Sequence, residues 1–144
     1  MTGDSMTGHH VIADLYGIDP RRFTNGADLL SILTSTLLEA GFKVVDVVGH
    51  QFMERGAGFT GVVLLAESHA ALHTYPEYNY VAVDVFSCGP KDPEPVIQAF
   101  ARRLSAPRVV VRMAERVVYP APAQNKRSGN DEREGLEYTH DELK

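Results

Sequence analysis

Several features that would assign a protein to a class at once are scarce in this chain of 144 residues. A single cysteine excludes an intrachain disulfide and any zinc site built from several thiolates. Basic residues are the minority, with 14 Lys and Arg against 19 Asp and Glu, and the net charge of −5 argues against a basic nucleic-acid-binding surface. No apolar run approaches the roughly 20 residues that cross a bilayer. We therefore expect neither nucleic acid nor a membrane as a partner.

The two ends of the chain contain few apolar residues. The first ten residues, MTGDSMTGHH, lack the charged and apolar regions of a secretory signal peptide, which predicts a cytoplasmic protein. Apolar residues become rare again after Pro120. Because the overall composition is close to the globular norm, we predict a single domain in residues 1–120 and a mobile tail in residues 121–144.

Hydrophobic periodicity predicts five strands and two helices in the order β-α-β-β-β-α-β. The first helix is predicted from Ala27 to Ala40, with Asn25 as its N-cap and Gly41 just beyond its end. The second helix is predicted from Asp92 to Leu104. The predicted strands cover residues 9–16, 43–52, 60–66, 80–86 and 108–113. Runs of strands interrupted by single helices indicate an α+β fold, a two-layer α/β sandwich with a mainly antiparallel sheet and both helices on one face.

The densest group of polar side chains, ESHAALHTYPE, follows the third predicted strand. A metal site here would use His69, His73 and Glu77. Their spacing aligns them only on a helix, which Pro76 would break, so we expect no metal. A serine hydrolase is disfavoured because AESHA lacks the GxSxG pattern. Cys88 follows the next strand, so we expect these Ser, His, Glu and Cys side chains to gather at the ends of neighbouring strands.

The residues themselves leave the role of this group open. Cys88 with His73 is a chemically competent nucleophilic pair. The alternative is that Cys88 is part of the core and that the histidines are ordinary surface residues. Each residue taken alone favours the second interpretation, whereas the set taken together favours the first.

Three short motifs lie between Thr60 and Gly89. The first is ESH, the second is HT followed by an aromatic residue and then PE, and the third is CG. This stretch, TGVVLLAESHAALHTYPEYNYVAVDVFSCG, resembles the processing and active-site segment of the small prokaryotic S-adenosylmethionine decarboxylase proenzymes. The segment HHVIADLY, which begins at His9, resembles the first strand of that family, and the element order agrees over residues 8–116. The resemblance implies a self-cleaving decarboxylase whose product, decarboxylated S-adenosylmethionine, is the aminopropyl donor for spermidine and other polyamines.

The resemblance also implies how the enzyme makes its cofactor. The matching bond is Glu67–Ser68, and its cleavage would give a β chain of residues 1–67 and an α chain of residues 68–144. The Ser68 hydroxyl would attack the carbonyl of Glu67 to form an ester. β-Elimination would then leave a dehydroalanine that hydrolyses to a covalent pyruvoyl group. That group would form a Schiff base with the substrate amine and accept the electrons released with carbon dioxide.

The resemblance assigns roles in processing and turnover to three further residues. His73 matches the base that removes the Ser68 α-proton during processing. Thr60 stands where the family usually has a processing serine, and it keeps the hydroxyl. Cys88 matches the proton donor of the decarboxylation, a role that suits a thiol because its pKa is readily tuned.

Substrate-binding residues follow from the same resemblance. Glu77 matches an acidic residue that suits ribose hydroxyls or a cationic substrate, and Phe52 lies near an aromatic position that stacks on adenine. Tyr75 stands where tryptophan is commoner, and the loop from Glu54 to Phe59 is slightly longer than usual. Both departures concern the place where substrate would bind, so Tyr75 is a candidate specificity residue.

Two alternatives remain open beside this assignment. The same pyruvoyl chemistry could act on another amino acid, arginine or ornithine, for which adenine stacking is dispensable. The chain could instead be an unprocessed, non-catalytic homologue with a binding or regulatory role, although the joint presence of Ser68, His73 and Cys88 argues against this. The resemblance favours a homodimer of processed αβ protomers.

Overall fold

The computed structural model of the chain is described for residues 5–54, 56–121 and 141–143. The helices and strands are β1 (Met6–Tyr16), α1 (Gly26–Glu39), β2 (Val44–Gln51), β3 (Phe59–Leu65), β4 (Ser68–Tyr75), β5 (Tyr80–Cys88), α2 (Glu94–Arg103) and β6 (Arg108–Val118). Short 3-10 turns cover Pro20–Phe23, Pro76–Tyr78 and Asp141–Leu143. Most of the predicted tail, residues 122–140 and 144, lies outside the described residues, so the tail stays a prediction.

The six strands form one antiparallel sheet in the order β2-β3-β4-β5-β1-β6. Helix α1 packs on β2 and β3, and α2 packs on β1 and β5. Both helices contribute to a single buried cluster, with Leu33 of α1 and Phe100 of α2 fully buried. The predicted α+β sandwich with an antiparallel sheet and both helices on one face is therefore confirmed.

The two faces of the sheet differ in burial because side chains alternate along a strand. In β1, Val11, Ala13 and Leu15 are fully buried against the helices. We call the opposite surface the open face. It presents the alternate residues of the strands, which include His10, Ile12, Asp14, Val48, His50, Thr60, Val62, Leu64, His69, Ala71, His73, Tyr75, Tyr80, Ala82, Asp84, Phe86, Cys88 and Arg112. In the described part of the chain, no helix is long and apolar enough to cross a bilayer.

The structure contains one strand more than the hydrophobic pattern predicts. Residues 68–75 form β4, a full strand between β3 and β5. Four strands therefore lie between the two helices, and the prediction of three is wrong. Ala70, Leu72 and Thr74 are the buried residues of β4. Two of these three are small or carry a hydroxyl, and the alternating positions hold histidines. The period-two hydrophobic signal is therefore weak, and the polar residues dominate the pattern.

The predicted helix ends agree with the structure to within two residues. Asn25 caps α1, with its side-chain oxygen accepting a hydrogen bond from the N–H of Ala27 at 3.0 Å. Gly41 follows α1 with a φ of 88°, a conformation that favours glycine. Helix α2 begins at Glu94 rather than at Asp92, whose carboxylate accepts a hydrogen bond from the Glu94 N–H at 2.9 Å. Strand β6 continues five residues beyond its predicted end, to Val118.

Candidate active site

The junction between β3 and β4 is a turn of two residues, Ala66 and Glu67, closed by the pair Leu65 and Ser68. Glu67 has a φ of 59°, a left-handed conformation that costs a residue with a Cβ atom about 1–2 kcal/mol. The Ala66 N–H is held by the carbonyl of Lys43 at 3.0 Å. The peptide bond between Glu67 and Ser68 therefore follows a strained residue in a turn that hydrogen bonding fixes in place.

Ser68 and Cys88 lie together at one end of the sheet. The backbone N–H of Cys88 donates a hydrogen bond to Ser68 Oγ at 3.0 Å. Cys88 is the last residue of β5 and is partly buried, and its Sγ lies 3.7 Å from Sδ of Met6. We call the group formed by Glu67, Ser68 and Cys88 the serine end. Its Ser68–Cys88 contact agrees with the expectation that these residues meet at the ends of neighbouring strands.

The other predicted site residues lie around a cavity of about 260 Å³. Thr60 and His73 face each other across β3 and β4, and Thr60 Oγ1 lies 3.0 Å from His73 Nδ1 in a hydrogen bond that fixes the imidazole. We call Thr60, His73 and the other residues around this cavity the cavity end. The residues that line the cavity are Phe52, Glu54, Gly58, Phe59, Thr60, His73, Thr74, Tyr75 and Glu77. All five of the predicted residues Phe52, Thr60, His73, Tyr75 and Glu77 are thus brought together.

The loop between β2 and β3 forms one wall of this cavity. Gly56 has a φ of 79°, a left-handed conformation that favours glycine, and a Cβ atom there would lie 1.8 Å from Glu77 Oε2, so any other residue would displace the Glu77 carboxylate. The Phe52 ring packs edge-on against His50 with 4.7 Å between centroids, and the Phe52 N–H donates to the Gly58 carbonyl at 2.8 Å. Gly56 was not among the residues predicted for the site. The only signal for it was the glycine-rich composition of the loop.

The serine end and the cavity end are far apart within one chain. Ser68 and His73 are five positions apart on β4, which at about 3.3 Å per residue places their Cα atoms about 17 Å apart. The expectation of one constellation is therefore wrong for a single chain. The physical reason is that residues 68–75 form an extended strand and not a loop.

The metal site weighed from the sequence is likewise not assembled. His69 and His73 do share the open face, but four positions along a strand separate them by about 13 Å, which no single ion can bridge. His69 lies instead beside His10 and Asp84, which come from β1 and β5.

A tyrosine near the cavity end has a perturbed pKa. Tyr80 packs against Tyr75 with 5.5 Å between ring centroids, and its hydroxyl donates a hydrogen bond to the carboxylate of Asp14. Arg112 also donates to that carboxylate, at 3.0 Å. Partial burial, followed by the hydrogen bond to Asp14 and the negative charge of that carboxylate, raises the pKa of Tyr80 well above its usual value.

Comparison with known proteins identifies the family. Residues 9–117 match the family model described as S-adenosylmethionine decarboxylase. The chain belongs to the S-adenosylmethionine decarboxylase family. The match extends from β1 into β6 and includes both the serine end and the cavity end, so the resemblance stated from the sequence is confirmed.

Named members of this family are similar to the chain along most of their length. The chain is 36% identical over 118 residues to the S-adenosylmethionine decarboxylase proenzyme of Acetivibrio thermocellus, which covers 81% of this chain and 94% of that protein. It is 38% identical over 123 residues to the proenzyme of the same name from Parasynechococcus marenigrum, which covers 85% of this chain and 94% of that protein. The crystal structure of the adenosylmethionine decarboxylase from Aquifex aeolicus is similar with a TM-score of 0.71 at 30% identity, over 84% of this chain and 98% of that one.

Proposed function

We propose that this chain is a self-cleaving, pyruvoyl-dependent decarboxylase of S-adenosylmethionine, whose product is the aminopropyl donor for polyamine synthesis. The observation that carries the proposal is the geometry of the serine end. There Ser68 follows the left-handed Glu67, and its hydroxyl is held by the N–H of Cys88. Membership of the S-adenosylmethionine decarboxylase family, whose relatives are named proenzymes, supports both the cleavage and the substrate.

In the precursor, the chain would cleave itself between Glu67 and Ser68. Ser68 Oγ attacks the Glu67 carbonyl carbon, the C–N bond breaks, and the product is an ester with a free amine on Ser68. The strained conformation of Glu67 favours this step because release of the peptide bond relieves it. Removal of the Ser68 α-proton expels the Glu67 carboxylate by β-elimination. The dehydroalanine that remains takes up water and releases ammonia, which leaves a pyruvoyl group at the start of the α chain.

The residues at the serine end fit a pyruvoyl group in that position. A backbone N–H already points at the Ser68 side chain, and the partly buried Cys88 thiol lies on the adjacent strand. The pyruvoyl group supplies an electron sink for the decarboxylation. Cys88 then holds the proton that the substrate carbon needs after carbon dioxide leaves, and we assign it the role of proton donor.

The cavity end supplies the base and the substrate contacts. Thr60 Oγ1 orients the His73 imidazole by accepting a hydrogen bond from Nδ1–H, and in this tautomer the lone pair of Nε2 is left to remove the Ser68 α-proton. Glu77 offers a carboxylate for the ribose hydroxyls or the positive charge of the substrate. Phe52 and Tyr75, both partly exposed, offer aromatic faces for the adenine.

A complete site requires a second copy of the chain, because His73 cannot reach Ser68 of its own strand. Two chains that pack open face to open face about a two-fold axis, with their β4 strands antiparallel, bring the serine end of each to the cavity end of the other. Ile12, Val62 and Leu64 on that face are 44%, 41% and 49% exposed in one chain. A second copy would cover this apolar surface. We therefore propose a homodimer of αβ protomers with two composite sites.

Intact mass spectrometry of freshly purified protein, followed by decarboxylation assays, tests the proposed function. We expect two chains that divide between residues 67 and 68, and carbon dioxide release from S-adenosylmethionine but not from arginine or ornithine assayed in parallel. Ser68→Ala should remain one inactive chain. Ser87→Ala, which removes a neighbouring buried hydroxyl on β5, is the matched control and should still cleave.

Three results of this experiment would contradict the proposal in different ways. A wild-type chain that stays intact after long incubation would remove the self-cleavage and favour a non-catalytic homologue. A cleaved protein that releases carbon dioxide from arginine or ornithine instead would keep the chemistry and replace the substrate. Cleavage at any other bond would remove Ser68 from its role.

A further inference from the structure

Three potential metal ligands from three strands lie side by side on the open face. His69 of β4 and His10 of β1 both pair with Phe86 of β5, so the three residues form one row across the sheet. Asp84, two positions before Phe86, presents its carboxylate beside both histidines. One ligand atom from each of His10, His69 and Asp84 can be chosen such that all lie within 4.8 Å of one another.

The distances from Asp84 Oδ2 to the two histidines lie on either side of the spacing expected for ligands of one ion. His10 Nε2 lies 2.8 Å from Asp84 Oδ2, which is a hydrogen bond. His69 Nε2 lies 4.0 Å from the same oxygen, which is too long for one. Bonds of about 2.0–2.1 Å at tetrahedral angles place ligand atoms about 3.3 Å apart, and the two distances bracket that value. Because all three ligand atoms lie within 4.8 Å of one another, side-chain rotations would bring them onto one ion.

The donor set selects a class of ion. Two imidazoles and one carboxylate suit Zn²⁺, Co²⁺ and Ni²⁺, whereas Mg²⁺ and Ca²⁺ prefer oxygen ligands throughout. Three protein ligands leave one position of a tetrahedral ion for water. The side chains of His10, His69 and Asp84 are 20%, 44% and 28% exposed in a single chain, so an ion can reach them before a second copy covers the open face.

We propose that His10, His69 and Asp84 form a binding site for one divalent transition-metal ion of the zinc type. On binding, the ion replaces the hydrogen bond between His10 and Asp84, and each imidazole coordinates through Nε2 and keeps its proton on Nδ1. His10 belongs to residues 1–67, whereas His69 and Asp84 belong to residues 68–144. Where the proposed cleavage has occurred, the ion would thus join the two chains next to the Ser68 position; this consequence alone rests on the proposed function.

The test uses the untagged Ser68→Ala precursor, stripped with EDTA and titrated with ZnCl₂ in a calorimeter and with CoCl₂ in a spectrophotometer. This variant keeps all three ligands and needs no cleavage, so the outcome is independent of the proposed function. We expect one ion per chain, the visible absorption of tetrahedral Co²⁺, and a higher thermal midpoint with Zn²⁺. Absence of Zn²⁺ and Co²⁺ binding by the folded precursor would overturn the proposal.

Two ligand variants and one matched histidine variant locate the site. His69→Ala and Asp84→Asn should each weaken Zn²⁺ binding by roughly 10–100-fold or more. That range is typical for loss of a residue that only hydrogen-bonds a metal ligand, and these two residues would bind the metal directly. His50→Ala removes another open-face histidine outside the group and should bind as the precursor does. Thermal unfolding in EDTA confirms that each variant is folded, and His10→Gln replaces any variant that is not. Equal weakening by His50→Ala would show binding by scattered histidines and would overturn the proposal.

Discussion

Cys88 offers two different groups to the serine end, and they can be separated by mutation. Its backbone N–H holds Ser68 Oγ, and this hydrogen bond does not depend on the identity of the side chain. Its thiol is the group that we assign to protonation of the substrate carbon. A change of side chain therefore removes the second function and leaves the first.

Cys88→Ala should cleave between Glu67 and Ser68 as the wild type does, yet lose most of its decarboxylation. Without the donor, protonation can occur at the wrong carbon, which converts the pyruvoyl end to alanine and adds about one mass unit to the α chain. Intact mass spectra taken during turnover measure both effects. If Cys88→Ala turns over at the wild-type rate and its α chain gains no mass, the thiol has no part in the reaction.

Three strands are joined on the open face by one carboxylate. Asp14 of β1 accepts hydrogen bonds from Tyr80 of β5 and from Arg112 of β6. Tyr80 binds best while it keeps its proton, because burial and the adjacent carboxylate both oppose ionisation and raise its pKa. The stability that Tyr80 contributes should therefore depend on alkaline pH.

Tyr80→Phe tests this link between β5 and β1. A tyrosine in the unfolded chain ionises at about pH 10, whereas Tyr80 in the folded protein ionises at a higher pH. The contribution is complete below pH 10 and is lost as pH rises further, because the unfolded chain then binds fewer protons than the native one. We expect Tyr80→Phe to cost roughly 1–3 kcal/mol at pH 7 and to show a shallower loss of stability above pH 10.

Urea unfolding of the uncleaved Ser68→Ala precursor at pH 7 to 11 and at one fixed protein concentration measures both effects, because no cleaved chains dissociate and any contribution of the dimer is the same in every sample. Tyr78→Phe is the matched control, since Tyr78 is 74% exposed and should leave the pH profile unchanged. Parallel profiles for the precursor and for Tyr80→Phe above pH 10 would show that the Tyr80 hydroxyl does not contribute.

The same elements show why the sequence predicts the site residues better than their arrangement. The helices were predictable because their ends carry local signals, such as the Asn25 cap and the glycine at position 41. Strand β4 has no such signal, and its buried Ala70 and Thr74 give little hydrophobic contrast. The contacts between Thr60 and His73 and between Ser68 and Cys88 depend on the register of this strand. A hydrophobic pattern that does not predict β4 cannot predict these two contacts.

For the whole molecule, the separation of about 17 Å between Ser68 and His73 is the decisive feature. A rigid strand cannot fold back on itself to join its own two ends. A symmetric dimer solves the problem without any distortion, since a two-fold axis supplies the missing half to each site. The site residues should therefore fall into two groups, and only residues from different groups should complement one another between chains.

Coexpression of a Ser68→Ala chain with a His73→Ala chain tests this division. Neither homodimer has a complete site, whereas each mixed dimer has one site with Ser68 from one chain and His73 from the other. Random pairing should give cleavage of part of the His73→Ala chain and roughly a quarter of the wild-type turnover, because half of the dimers are mixed and half of their sites are complete. His73→Ala expressed alone should stop before elimination, and hydroxylamine, which cleaves esters, should release its two chains.

The matched control combines two residues of the same group. Coexpressed Ser68→Ala and Cys88→Ala chains should show no gain in turnover, because the serine end of one chain always lacks the hydroxyl and that of the other always lacks the thiol. Size-exclusion chromatography with two distinguishable tags confirms that mixed dimers form in both experiments. If the first pair gains no activity although mixed dimers are present, or if both pairs gain equally, the two ends do not meet across the interface and His73 acts by another route.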